Sequence, residues 1–222
     1  MIQMGSLLSD TSVLIAAASF IVPWYNEGKK YLAMIKGGTL LTGLSPIEQA
    51  IVFAASAHHG QARKATETPY IVHPFSVAMI LQQEGCSEAV VMAGLLHDTL
   101  EDTDRTYEDL VRSFGTHVAD IVQGCSEPDK TKSWEARKQH TIESLKTASE
   151  EVCLVVCADK IHNLRSMNTE FERLGDELWR RFKRGLEKQE WYYKAVADVL
   201  FERLGGHPLY DQFIQEVRQL FH

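Results

Sequence analysis

Apolar residues recur along the chain at intervals of three and four, the period of helices that bury one face. In "SPIEQAIVFAASAHHG", Ile47, Ala50, Ile51, Ala54 and His58 fall on a single face. Ser45 stands where a helix cap belongs, Pro46 suits the first helical position, Glu48 completes a capping box, and Gly60 ends the element. "HPFSVAMILQQEG" starts a second helix at His73 and Pro74, and "SEAVVMAGLLHDTL" makes a third whose stripe of Val90, Val91, Gly94 and Leu95 runs into Asp98. The same periodicity predicts helices near residues 106–114, 116–124, 134–148, 151–167, 176–204 and 208–221, and strand patterns are nearly absent. The fold class is therefore all-α, a helical bundle with short connections, expected to occupy residues 45–222 as one domain behind an extension of unknown role at residues 1–44.

That extension holds "SVLIAAASFIVPW", residues 12–24. It is shorter than the roughly 20 residues a bilayer span needs, Pro23 interrupts it, and no Lys or Arg precedes it to form the basic start of a signal peptide. A packed or peripheral helix is the expectation, with a membrane anchor as the minor alternative.

Three apolar runs end in ionisable side chains. "LLHDTLEDT" leads from Leu95 and Leu96 into His97, Asp98, Glu101 and Asp102; "VCLVVCADKIHNL" leads into Asp159, then His162 and Asn163; "PYIVHP" delivers His73 after Ile71 and Val72. Helical spacing places His97 beside Glu101, and Asp98 beside Glu101 and Asp102. Carboxylates that close repel one another where water is scarce, so a cation is expected among them unless they form a solvated helix end. Imidazole and carboxylate together suit a divalent ion of the manganese, iron or zinc class. Such an ion implies metal-assisted hydrolysis, with a neighbouring carboxylate handling the water.

Composition narrows the substrate. The chain has 23 basic and 30 acidic residues in 222, a formal net charge of −7, which argues against nucleic acid or an anionic membrane as partner. An anionic ligand needs local positive charge, for which Arg63, Lys64, Lys130, Lys132, Arg137, Lys138 and Lys160 are candidates. For Lys130, Lys132, Arg137 and Lys138 a solvated loop or helix face is an equal reading. Cys86, Cys125, Cys153 and Cys157 show no Cys-x-x-Cys spacing and read as free thiols in a reducing, cytoplasmic setting. His58 reads as a satisfied core histidine, His162 as a neighbour that packs or hydrogen-bonds behind the metal ligands, and the aromatics of residues 191–204 as core.

Taken in order, "HHGQARKATETPYIVHP", "LLHDTLEDT" and "ADKIHNLRSM" resemble the hydrolase domain of RelA/SpoT homologues, within the HD-type metal-dependent phosphohydrolases, over about residues 45–204. The chain is similar to the stand-alone small alarmone hydrolases of that family, and the resemblance implies an HD-domain bundle with a metal site between helices. It further implies that His73, His97, Asp98 and Asp159 ligate one Mn²⁺, that Glu101 and Asp102 position and activate water, and that Arg63, Lys64 and Asn163 line the nucleotide site. The implied reaction removes the 3′-pyrophosphate of ppGpp or pppGpp to give GDP or GTP and pyrophosphate, as part of the stringent response. Where the family has glycine after Arg-Lys, "RKATETPY" has Ala65 and Thr66 and is one residue longer. That leaves the base open, with ppApp beside ppGpp; separate alternatives are an HD phosphohydrolase acting on a deoxynucleotide or NADPH and, of another class, a catalytically silent nucleotide binder.

Overall fold

Ser45 begins the first helix as its sequence requires. Its hydroxyl accepts from the Glu48 N–H, and the Glu48 carboxylate accepts from the Ser45 N–H at 2.8 Å, a reciprocal cap that opens α1, Pro46–Ala57. This is a computed structural model, and it describes residues 43–63, 66–127 and 130–221. The expectations for residues 1–44 up to position 42, the apolar stretch at 12–24 among them, lie outside the described residues. After α1 come α2 (Val72–Gln83), α3 (Glu88–Leu96), the four-residue α4 (Thr99–Asp102), α5 (Tyr107–Cys125), α6 (Trp134–Leu145), α7 (Glu150–Leu174), a 3₁₀ segment (Gly175–Arg181), α8 (Gly185–Leu204) and α9 (Pro208–Leu220). Among the described residues the one β-type pairing is an isolated antiparallel bridge between Ala62 and Pro69. No described helix is long and apolar enough to cross a membrane.

Two helices form the centre because they are apolar all round. Every residue of α3 from Val90 to Leu96 is buried, as is every residue of α7 from Val152 to Asp159. α2 lies against both, α1 and α5 flank α3, and α8 and α9 cover α7. Gly94 permits the close approach of α2 to α3: a Cβ there would stand 2.6 Å from the Leu81 side chain. Each fully buried leucine in such a core contributes about 2–5 kcal/mol when compared with alanine. Leu95 and Leu96 together can thus offset the several kcal/mol that dehydrating one nearby carboxylate costs.

Three boundaries differ from the periodicity. The third helix stops at Leu96 instead of running on to Leu100, because side chains take the carbonyls that would continue it: His97 Nδ1 bonds Gly94 O at 2.8 Å and Thr99 Oγ1 donates to Leu96 O at 2.7 Å. Asp98 therefore sits on a corner between α3 and α4. The helix expected over 176–204 is divided, since Phe182 is extended between the 3₁₀ segment and α8. There Trp179 is held by rings, with Phe171, Phe182 and Phe221 at centroid distances of 5.9, 6.1 and 5.8 Å. α7 runs on to Leu174, beyond the expected end at 167. The break expected between 106–114 and 116–124 is present, by contrast, as a kink within α5 at Gly115, whose φ of +83° suits glycine.

Candidate metal centre

His73 is brought in by the first turn of α2, His97 and Asp98 by the corner after α3, and Asp159 by the middle of α7. His73 and His97 are 2% and 5% exposed, so these groups meet where water is scarce. His73 Nε2 lies 3.1 Å from Asp159 Oδ1 and 3.5 Å from Asp98 Oδ2, while His97 Nε2 lies 3.1 Å from Asp98 Oδ2 and 3.9 Å from Asp159 Oδ1. One ligand atom from each of His73, His97 and Asp159 falls within 4.8 Å of the others, and Asp98 Oδ2 stands beside both imidazoles.

The hydrogen bonds fix which ring nitrogen faces inward. Gly94 O can only accept, so His97 Nδ1 carries the proton of that bond, and in the neutral ring it is Nε2 that presents its lone pair to the cluster. That Nε2 is buried, lacks a hydrogen-bond partner, and is not aligned with Asp98 despite their proximity. A lone pair aimed at two carboxylates is repulsive unless a proton or a metal cation intervenes, so the donor set fits a divalent ion. Burial opposes a charge on His97, yet the carboxylates of Asp98 and Asp159 outweigh it and lift the imidazole to about 9. The Asp98 carboxyl is held well below its usual range despite burial, chiefly by His97 and then His73, and Asp159 likewise, chiefly by Lys160 and then His73.

Around these four lies a layer that orients them. His73 Nδ1 is 2.7 Å from His162 Nδ1. Burial, then His73 and Arg63, drive His162 down to about 3, which keeps the ring neutral, and the contact through Nδ1 leaves His73 Nε2 facing the carboxylates. Asp159 accepts from Asn163 Nδ2 and from Lys160 Nζ, each at 2.6 Å, and Arg63 Nη2 donates to Asn163 Oδ1 at 3.2 Å. Arg63 and Asn163 are therefore linked to each other and to Asp159. Lys64 lies outside the described residues.

Glu101 and Asp102 sit on α4, at the edge of the cluster. Lys130 pairs with Asp102 and its Nζ is 3.8 Å from Glu101 Oε1. Burial, and then the Glu127 carboxylate, raise the Glu101 carboxyl above its ordinary value. Periodicity did not single out Tyr70, whose hydroxyl donates to Asp98 Oδ2 at 2.6 Å and lies 3.3 Å from Asp102 Oδ2. It also missed Gln61, which donates to the Asp102 carbonyl at 2.8 Å. The only signal for Tyr70 was its place three residues before His73. His58 is buried as expected but only half satisfied: Nδ1 meets Gln61 Oε1 at 3.0 Å and Nε2 has no partner.

The loop after Arg63 closes on itself. Arg63 N–H donates to Thr68 O at 2.8 Å, Thr66 Oγ1 donates to Arg63 O at 3.0 Å, and Thr68 N–H returns to Thr66 Oγ1 at 3.2 Å. Thr66 thus meets Arg63 O through both its N–H, at 3.0 Å, and its hydroxyl.

The profile of the HD-domain family matches residues 50–184, which contain every one of these site residues. The chain belongs to the HD-domain family. Its relatives include guanosine-3′,5′-bis(diphosphate) 3′-pyrophosphohydrolase MESH1 of Danio rerio, 42% identical over 76% of this chain and 90% of that protein. The GTP pyrophosphokinase of Streptomyces coelicolor is 42% identical over 56% of this chain but only 15% of its own length, so the likeness there is to one module of a longer protein. Among solved structures, one described as a metazoan ortholog of SpoT that hydrolyzes ppGpp and plays a role in starvation responses superposes with a TM-score of 0.67 at 29% identity, covering 81% of this chain and 98% of that one. The protein lmo0812 of Listeria monocytogenes EGD-e gives a TM-score of 0.63 at 39% identity over 67% of this chain and 98% of its own.

HD domains bind a divalent metal, and here His162 sets the orientation of one imidazole ligand candidate. His162→Phe keeps a ring in place but removes the nitrogen that meets His73 Nδ1, and is expected to weaken Mn²⁺ binding by about 10–100-fold in a calorimetric titration. Unchanged affinity would mean that His162 only packs.

Proposed function

We propose that this chain is a metal-dependent hydrolase that removes the 3′-pyrophosphate of ppGpp or pppGpp, yielding GDP or GTP and pyrophosphate. The observation that carries the reading is the convergence of His73, His97, Asp98 and Asp159 beside the acidic pair Glu101 and Asp102. It is supported by similarity along nearly the whole length of a relative named for this reaction. Residues 45–222 are proposed as the catalytic domain, and residues 1–44 as an extension to it.

In this account His73, His97, Asp98 and Asp159 hold one ion, and two imidazoles with two carboxylates favour Mn²⁺ over Mg²⁺. The ion supplies polarisation of a phosphoryl oxygen and a lowered pKa for water. Glu101, whose carboxyl is raised by burial and by Glu127, takes the proton from the attacking water, and Asp102, steadied by Lys130, orients it. Tyr70 fixes Asp98 relative to Asp102. The oxygen of water bonds to the phosphorus attached to the ribose, the bond to the 3′-oxygen breaks, and that oxygen takes up a proton. Arg63, with Lys64, meets the anionic nucleotide, and Asn163 meets its sugar. The partner is thus a small nucleotide, and the free thiols of Cys86, Cys125, Cys153 and Cys157 support a cytoplasmic setting for a stringent-response enzyme.

The closed loop after Arg63 is where base choice is expected to reside. Side-by-side kcat/KM values for ppGpp, ppApp, a deoxynucleoside triphosphate and NADPH test the substrate assignment, with ppGpp expected to lead. A large preference for any of the others would replace it.

A further inference from the structure

Just after α5 stands a largely buried carboxylate, Glu127, to which the proposed reaction gives no part beyond raising Glu101. Glu127 is 10% exposed in its side chain, accepts from Arg137 Nη1 at 2.6 Å through one oxygen and from Lys138 Nζ at 2.6 Å through the other. Both cations stand in the first turns of α6, which Ser133 caps through the Ala136 N–H at 3.2 Å, and they are themselves only 24% and 19% exposed. Lys138 also lies 5.0 Å from the centroid of the buried Tyr192 ring. Three charges withdrawn from water are expensive to hold and form a stiff fork only when mutually satisfied.

The backbone of the same residue reaches the site. Glu127 N–H donates to Glu101 Oε2 at 3.3 Å. Three residues on, Lys130 pairs with Asp102 and faces the other oxygen of Glu101 at 3.8 Å. Both oxygens of Glu101 therefore face cationic or N–H groups, from Glu127 and Lys130, and Glu127 is pinned to α6 by its own carboxylate.

We infer that Glu127 is a positioning residue for the reaction: clamped by Arg137 and Lys138, it seats the N–H that holds Glu101 in line beside Asp102. The inference rests on the function proposed above. It also assigns Arg137 and Lys138 to the protein's own carboxylate in place of substrate phosphate. A reacting group displaced by about 1 Å loses on the order of 100-fold in rate, so the clamp acts on kcat.

The test is steady-state kinetics of the full chain with Mn²⁺ and ppGpp for Glu127→Gln, Lys138→Met and the double variant, with Mn²⁺ affinity measured beside them. Each single change is expected to lower kcat by about 10–100-fold while KM moves less than about threefold. Mn²⁺ affinity stays unchanged, and the double variant is no slower than the slower single, because both break one clamp. A lower KM with unchanged kcat in Glu127→Gln would overturn the inference, since Glu127 would then be masking a phosphate site. Effects of the two singles that multiply would overturn it as well. Should Glu127→Gln not fold, Glu127→Asp keeps the charge while withdrawing the N–H from Glu101, and it must show the same loss confined to kcat. If the unaltered chain turns over another nucleotide of the panel, the same ratios are read on that substrate; if it turns over none, the functional reading and this inference both fall.

Discussion

Asp159→Asn is expected to lower ppGpp turnover by at least about 10³-fold and to weaken Mn²⁺ binding with it. The substitution keeps the shape of the side chain, so Asn163 can still find an oxygen, but it removes the charge that serves three neighbours. His73 Nε2 at 3.1 Å loses its anionic companion, a bound ion loses one of two compensating carboxylates, and Lys160 loses its counter-charge. Burial works against the Lys160 ammonium, and Asp159 is the main group that outweighs it and holds its pKa well above the ordinary lysine value. Removing one partner of a buried pair costs about 3–5 kcal/mol. A fall in thermal stability is therefore expected together with the loss of activity. Kinetics below the variant's melting range, with a parallel Mn²⁺ titration, separate the two effects. Wild-type affinity for Mn²⁺ in a folded Asp159→Asn protein would contradict the ligand assignment.

Glu101→Gln is expected to have a different signature. The amide keeps an acceptor for the Glu127 N–H but cannot take a proton, so kcat falls by about 10²–10⁴-fold. Mn²⁺ affinity and KM are expected to stay close to those of the unaltered chain, because Glu101 lies on α4, outside the cluster of His73, His97 and Asp159. Measuring kcat, KM and metal affinity on one preparation checks this. Turnover within a few-fold of the unaltered chain would remove Glu101 from the water-handling role and leave Asp102 as the candidate.

What the sequence displays most clearly is burial. Apolar runs that end in His73, in His97 and Asp98, and in Asp159 are visible in the chain because a core helix must be apolar wherever it touches its neighbours. Those are the residues that converge in space. The Ser45 cap was equally plain, because its chemistry is confined to four residues. The corner at Asp98 was hidden, since it depends on the side chains of His97 and Thr99 capturing carbonyls that helical periodicity assigns to backbone N–H groups. The break before α8 was hidden for another reason, as Trp179 is fixed by Phe221 from the far end of the chain.

Residues that act across the chain left little trace. Tyr70 meets a carboxylate 28 positions away, Gln61 a carbonyl 41 positions away, and Glu127 a carboxylate 26 positions away. No local period encodes such pairs. The basic residues were visible by composition, but their employment was not: Lys130 is on Asp102, Arg137 and Lys138 are on Glu127, and Lys160 is on Asp159. Positive charge near the site therefore holds the site's own carboxylates, and Arg63 is tied to Asn163.

The most direct test of the central claim is product identification from the purified full chain with ppGpp, with Mn²⁺ and with EDTA in its place. The account predicts GDP and pyrophosphate in equal amounts with Mn²⁺ and neither with EDTA. Release of inorganic phosphate in place of pyrophosphate, undiminished turnover in EDTA, or no product after long incubation with Mn²⁺ would contradict it.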